Sequence, residues 1–304
     1  MGRVARKAVV AGLPLSVLCE LARLRGRAYA RFGTLPGPIR ANLLATFGEG
    51  PETDRLARRA YAFSVRSRLR HLMPRLRGFD DPTRWPLIGR ERLDEALGQE
   101  RGAILLTAHL AYASLIGPIL RVHGIPVVQV ASKRLHETTR ARQAKYATTG
   151  SRFRRYVYAR TRVTADTLGP DDLEASLDAR PIFQALARNR AVFLVGDGQR
   201  ALEFAPQPLL GKPFQFPTGF ARIAMATGAP VLPVFAFEGT RRHPVVVEIR
   251  APLVIDPAAS AAENVAGFAR ILDAELRRAP HLWQKWANAR VWGIPRRHAV
   301  DPHG

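Results

Sequence analysis

His109 ends the stretch Gly102-Ala103-Ile104-Leu105-Leu106-Thr107-Ala108-His109, a short apolar run that passes straight into a turn. An imidazole with an ordinary pKa near 6.5 takes a proton from a hydroxyl at neutral pH, and such transfer is worth roughly 10² to 10⁴ in rate. A structural histidine at a strand end is the plainer alternative, and the residue alone does not separate the two. Asp197 and Arg200 sit in Gly196-Asp197-Gly198-Gln199-Arg200, at the end of a second apolar run. Together they offer a carboxylate and an anion-binding guanidinium; Asp and Gly in that place also suit a simple turn. Lys133 and Arg134 open a segment reaching Arg162 that holds ten basic residues and one acid, Glu137. Its charge suits an acidic partner, coenzyme phosphates or a phosphorylated glycolipid. Tyr146, Phe153, Tyr156 and Tyr158 are interleaved there, which makes nucleic acid a rival, but no recognition motif accompanies them.

The elements that must position these residues follow from periodicity. Ile104 to Leu106 is unbroken and apolar, as in a strand covered on both faces, and a sheet site forms where such a strand ends. Further strands are expected at Pro126 to Ala131, around Val157, and at Ala191 to Val195, Val231 to Phe237 and Val245 to Ile249. Helices are expected at Glu52 to Leu76, Glu91 to Leu97, Tyr112 to His123 (against the objection of Pro118), Leu135 to Thr149, Leu173 to Arg190 with a break at Pro181, Thr218 to Thr227, and Glu263 to Arg278. Phe204 to Phe216 reads as a Pro- and Phe-rich loop, and Gly78 to Pro86 as a linker. Strand and helix alternate, so the expected class is α/β, a mainly parallel central sheet flanked by helices. Residues 1–80 are expected to form an N-terminal helical segment, a cap or a membrane-docking appendage, and residues 81–304 the α/β domain.

The chain has 304 residues, 47% hydrophobic, with Lys+Arg 47 against Asp+Glu 25 for a net charge of +22. That excludes a mostly disordered chain and favours anionic partners, although a general bias toward arginine gives the same excess. The single Cys19 excludes an intrachain disulfide and a cysteine-based zinc site, and no metal-ligand cluster is visible. Ala8 to Leu24 is the most apolar segment, but Pro14, Glu20 and Arg23 interrupt it, and a small-x-small cleavage site is missing. It reads as an amphipathic helix on anionic lipid or as an ordinary packed helix. Between Arg55 and Arg77 there are eight arginines and no acid, a solvated face or a face toward head groups. His243, His281, His298 and His303 are scattered and read as surface residues. No phosphate-cradling glycine loop and no G-x-S-x-G elbow is present.

Taken in order, these pieces resemble the lysophospholipid acyltransferase superfamily, and within it the late (secondary) acyltransferases of lipid A biosynthesis and the phosphatidylinositol mannoside acyltransferases. Asn42-Leu43 with Phe47, Ala57-Arg58-Arg59, Ile88 to Leu97, Leu105 to His109, Asp197-Gly198-Gln199, Pro213-Phe214 to Thr218-Gly219, Ala226 to Val234 and Pro280 to Trp286 carry the resemblance. It implies an O-acyltransferase that moves a fatty acyl chain from an acyl thioester to a hydroxyl of a glycolipid or phospholipid. The donor would be acyl carrier protein or coenzyme A, with no further cofactor, at the cytoplasmic face of the inner membrane, peripheral or monotopic. In that family a histidine and an acid five residues later act as a dyad, the acid orienting the imidazole and stabilising its cation. Here His109 is followed at that spacing by Ser114, which offers no negative charge. Three consequences stay open: another carboxylate, Asp197 first and Glu238 second, stands in; the enzyme runs slower or on a more activated substrate; or acyl transfer is lost and a lipid- or carrier-binding protein remains. Glu238-Gly239-Thr240-Arg241 is similar to the phosphate-binding E-G-T-R of glycerol-phosphate acyltransferases but falls after the strand it should precede. Arg241 or Arg242 can still hold a phosphate.

Overall fold

A computed structural model describes residues 15–35, 37–70, 78–132, 172–175, 178–198, 201–288 and 291–292. Its centre is a seven-stranded sheet of order β1-β9-β8-β2-β5-β3-β4. The strands are β1 (Leu87–Ile88), β2 (Ala103–Thr107), β3 (Val127–Ser132), β4 (Leu173–Ala175), β5 (Ala191–Val195), β8 (Val231–Glu238) and β9 (Val245–Ile249). The five strands from β8 to β4 run parallel, whereas β9 is antiparallel to β8 and carries β1 alongside it in parallel. The expected α/β class with a mostly parallel sheet is therefore present. β6 (Phe204–Leu209) and β7 (Lys212–Pro217) form a separate antiparallel pair.

Eight α-helices surround the strands among the described residues: α1 (Leu15–Phe32), α2 (Gly37–Phe47), α3 (Pro51–Arg70), α4 (Arg90–Leu97), α5 (Ile116–Val122), α6 (Arg180–Ala187), α7 (Gly219–Thr227) and α8 (Ala261–Arg278). Both sheet faces are covered, which is why β2 reads as an unbroken apolar run. Ile104 and Leu106 pack with Ala221, Ile223 and Phe268 of α7 and α8; Ala103 and Leu105 pack with Leu93, Ile116 and Ile119 of α4 and α5. α8 starts from a reciprocal cap in which Ser260 Oγ accepts the Glu263 amide and Glu263 accepts the Ser260 amide. It then buries Val265, Phe268, Leu272 and Leu276 at helical spacing.

Four expectations are corrected. Leu173 to Arg190 is not one helix: Leu173–Ala175 pairs with Val130–Ser132 as an edge strand, and the helix starts only at Arg180. Pro181 opens that helix rather than breaking it, because a first-turn residue has no amide bond to lose. The helix after His109 begins at Ile116, behind a 3₁₀ turn at Ala113–Leu115, so Pro118 falls in its first turn where proline is tolerated. The Pro- and Phe-rich stretch is a hairpin closed by Leu210 and Gly211, both at positive φ (51° and 77°), as a two-residue hairpin turn demands. Its prolines are tolerated because a two-stranded pair has only edges. The stretch expected as a linker packs Trp85 fully into the core, with its indole N–H donating to Phe79 O at 2.8 Å. The expected helix at Leu135 to Thr149 and the strand around Val157 lie outside the described residues.

Candidate active site

The register of two neighbouring strands builds the site. In the parallel pair β2–β5, Thr107 lies opposite Val195, and the Gly196 amide donates to Thr107 O at 2.7 Å. His109 and Asp197 each stand two residues beyond that rung, so the chain delivers them side by side at the carboxyl end of the sheet. Gly196 is required there: a Cβ would lie 2.5 Å from Phe268 Cε1 and 3.1 Å from Leu106 Cδ1.

The His109 Nδ1 and Asp197 Oδ1 atoms are 2.7 Å apart, and the same oxygen accepts the His109 backbone amide at 3.0 Å. Trp283 Nε1–H donates to Asp197 Oδ2 at 2.9 Å. Asp197 is wholly buried, while 48% of the His109 side chain remains exposed. Burial alone would raise the carboxyl's pKa. The facing His109 imidazole, the Lys285 ammonium and the hydrogen bonds from His109 and Trp283 outweigh it and hold Asp197 well below the usual carboxylate range. With a carboxylate on Nδ1, the favoured neutral tautomer carries its proton there and leaves the Nε2 lone pair on the outer edge of the ring.

A C-terminal segment clamps the histidine loop. Gln284 N donates to His109 O at 2.8 Å, Ala111 N to Leu282 O at 3.0 Å, and Gln284 Nε2 to Ala111 O at 2.7 Å. Ala111 is held at φ 46°, a left-handed conformation that costs a non-glycine residue about 1–3 kcal/mol and persists only when its surroundings impose it. Lys285, only 4% exposed, sits in the same segment; burial lowers its pKa and the charge of Asp197 opposes that shift.

Of the residues singled out in the sequence, His109 and Asp197 are brought together. Ser114 lies half-buried in the 3₁₀ turn Ala113–Leu115. Glu238 does not reach for the imidazole; it meets Arg23 Nε at 3.2 Å and Arg66 Nη2 at 3.0 Å. Arg241 is exposed in the β8–β9 connection. Lys133, Arg134 and Arg200 lie outside the described residues. His281 is not the surface residue expected: it is partly buried, with its Nδ1 shielded from solvent. Trp283 and Lys285 were not foreseen as partners of Asp197. The only signal was their place in the tryptophan-rich run Trp283-Gln284-Lys285-Trp286.

A buried carboxylate on one nitrogen of a half-exposed imidazole is an arrangement for accepting a proton at the other nitrogen. The family profile described as bacterial lipid A biosynthesis acyltransferase matches residues 3–288. No curated protein matches the chain.

Proposed function

The chain belongs to the bacterial lipid A biosynthesis acyltransferase family, and we propose that it transfers a fatty acyl chain from a thioester to a hydroxyl of a glycolipid or phospholipid, with His109 as general base. His109 Nε2 takes the proton of the acceptor hydroxyl as that oxygen attacks the thioester carbonyl. The tetrahedral intermediate collapses with cleavage of the C–S bond, and the thiolate leaves with the proton held on Nε2. The products are an ester and a free thiol, and His109 returns to its neutral form. Asp197 stays ionised throughout, holds Nδ1–H and offsets the transient imidazolium charge. The observation that carries this reading is the 2.7 Å pair between His109 and a fully buried carboxylate. It supplies the negative charge that Ser114 lacks, which favours an active enzyme over a binding protein that has lost catalysis.

Acyl carrier protein or coenzyme A serves as the carrier of the donor thioester, and the reaction takes place at an anionic membrane surface on the cytoplasmic side. Helix α1 supports this placement: Val17, Leu21, Leu24 and Phe32 are exposed at helical spacing, Phe32 by 81%, among Arg25, Arg27 and Arg31. No described helix is long and apolar enough to cross a membrane.

The test is thiol release from acyl carrier protein and coenzyme A thioesters, followed in the presence of detergent-dispersed glycolipid or phospholipid acceptors. Wild type should release thiol in step with ester formation, and His109→Ala should lose roughly 10²- to 10⁴-fold in turnover. Full activity in His109→Ala, or no transfer by wild type from either donor, ends the proposal.

A further inference from the structure

Outside the chemistry assigned to His109, helices α1 and α3 line a half-open cavity of about 360 Å³. Arg23, Gly26 and Arg27 line it from α1, and Arg59, Ala62, Phe63 and Arg66 from α3. Each set has helical i, i+3, i+4 spacing, so the arginines project from one face of each helix. The faces approach closely because Gly26 has no side chain; a Cβ there would lie 3.0 Å from Ala62 O. Glu238, at the carboxyl end of β8, and His281 complete the lining. β8 runs parallel to β2, so the cavity opens at the same end of the sheet as His109, and His281 is two residues from the Trp283 that bonds Asp197.

The charges do not balance. Glu238 binds Arg23 and Arg66, and Glu20 binds Arg23 at 2.8 Å, so two carboxylates offset two of four guanidinium groups. Arg27 and Arg59 make no ion pair among the described residues and are both exposed. Among the described residues, Arg66 Nε and His281 Nδ1 are shielded from solvent without a hydrogen-bond partner. Burial, and then the neighbouring Arg59 and Arg66, keep His281 neutral, so it adds no positive charge but can accept or donate a hydrogen bond.

We propose that Arg23, Arg27, Arg59 and Arg66 form a binding site for a phosphate monoester. The residual charge of two matches the −1.5 to −2 that such a group carries near pH 7 (roughly, by its second pKa near 6). Guanidinium groups are the side chains whose paired N–H donors fit its oxygens. The volume falls in the range of roughly 300–1,000 Å³ found for small-molecule sites. Assigning the phosphate to a substrate rests on the acyl-transfer reading; the affinity of the cavity for the group does not.

The experiment is equilibrium binding to phosphatidylcholine vesicles doped with phosphatidic acid, in the full chain. The double variant Arg27→Gln/Arg59→Gln is compared with Arg25→Gln/Arg31→Gln, which removes the same charge from residues that do not line the cavity. The pocket pair should weaken binding at least about tenfold more than the control pair, while both retain the wild-type melting temperature. Equal losses in the two pairs would mean that general surface charge attracts the vesicles, and would overturn the site. Coenzyme A and inorganic phosphate are then titrated as competitors. Displacement by coenzyme A that depends on Arg27 and Arg59 and exceeds displacement by inorganic phosphate assigns the phosphate to a soluble donor; binding that coenzyme A does not displace better than inorganic phosphate assigns it to a lipid head group. The same titrations in His109→Ala should match wild type, because the cavity does not include the imidazole; a wild-type chain that binds phosphate but transfers no acyl group from either donor would refute the proposed reaction and leave the pocket standing.

Discussion

His109 Nδ1 lies 2.7 Å from Oδ1 of Asp197, a residue 88 positions away in the chain, and that carboxylate has no exposed surface. The proximity comes from sheet register rather than from a local helical turn. Replacing Asp197 by Asn keeps an acceptor oxygen but removes the charge that offsets the imidazolium. Turnover should fall roughly 10³- to 10⁴-fold. The variant also leaves the buried Lys285 ammonium beside a neutral group, which should lower the melting temperature. Adding Lys285→Met should recover most of the melting temperature without recovering turnover. Separate recovery of the two quantities checks the assignment.

Ser114 occupies the position where the resemblance calls for an acid, whereas the carboxylate that meets the imidazole is that of Asp197. Imidazole Nδ1 carries one proton, and Asp197 is hydrogen-bonded to it. Ser114→Ala should therefore keep turnover within about threefold, the range of a substitution away from an essential partner. Ser114→Asp in the Asp197→Asn background should stay near the activity of Asp197→Asn alone. Restoration to wild-type turnover by that double variant would place the working acid at position 114 and refute the register argument.

Much of this architecture could be read from the chain because buried parallel strands are short, apolar and β-branched, and β2, β3, β5, β8 and β9 all are. Where reading failed, the controlling contact was distant. Leu173–Ala175 becomes a strand only because β3 offers it an edge. Four prolines, at 206, 208, 213 and 217, disguise the β6–β7 hairpin, yet Ala205, Leu209, Phe214 and Phe216 alternate inward as a strand pair should. Asp197 was nameable as a substitute acid from its position after β5, but not its 2.7 Å approach. Lys285 was not nameable at all, since a lone lysine between two tryptophans gives no hint of which carboxylate it faces.

Gly196 is the hinge of that geometry. An alanine there would drive its methyl group into Phe268 of α8 and against Leu106 of β2. Both side chains are held in the packed core, so relief requires the backbone before Asp197 to move. Gly196→Ala should cost about 1–3 kcal/mol of stability. It should also reduce turnover on the order of 10²-fold, because a shift of about 1 Å at a catalytic pair is enough for that. Gly219→Ala, where a Cβ meets nothing within 4 Å, is the matched control and should change neither thermal midpoint nor turnover appreciably.

His281 makes stability depend on acid in a predictable direction. Burial, with Arg59 and Arg66 from α3 as neighbours, lowers its pKa from 6.5 to about 4, against the opposing attraction of Glu238. Between those values the unfolded chain binds a proton that the folded chain refuses, and unfolding gains from each step down in pH. The folded state should therefore lose stability as pH falls from about 6.5 toward 4, and this contribution should level off below that. His281→Gln removes the titrating group and keeps a polar side chain. Its urea midpoint at pH 4.5, relative to its own midpoint at pH 7, should drop less than that of wild type. Equal drops would mean that the imidazole in the arginine cavity titrates as freely as in the unfolded chain.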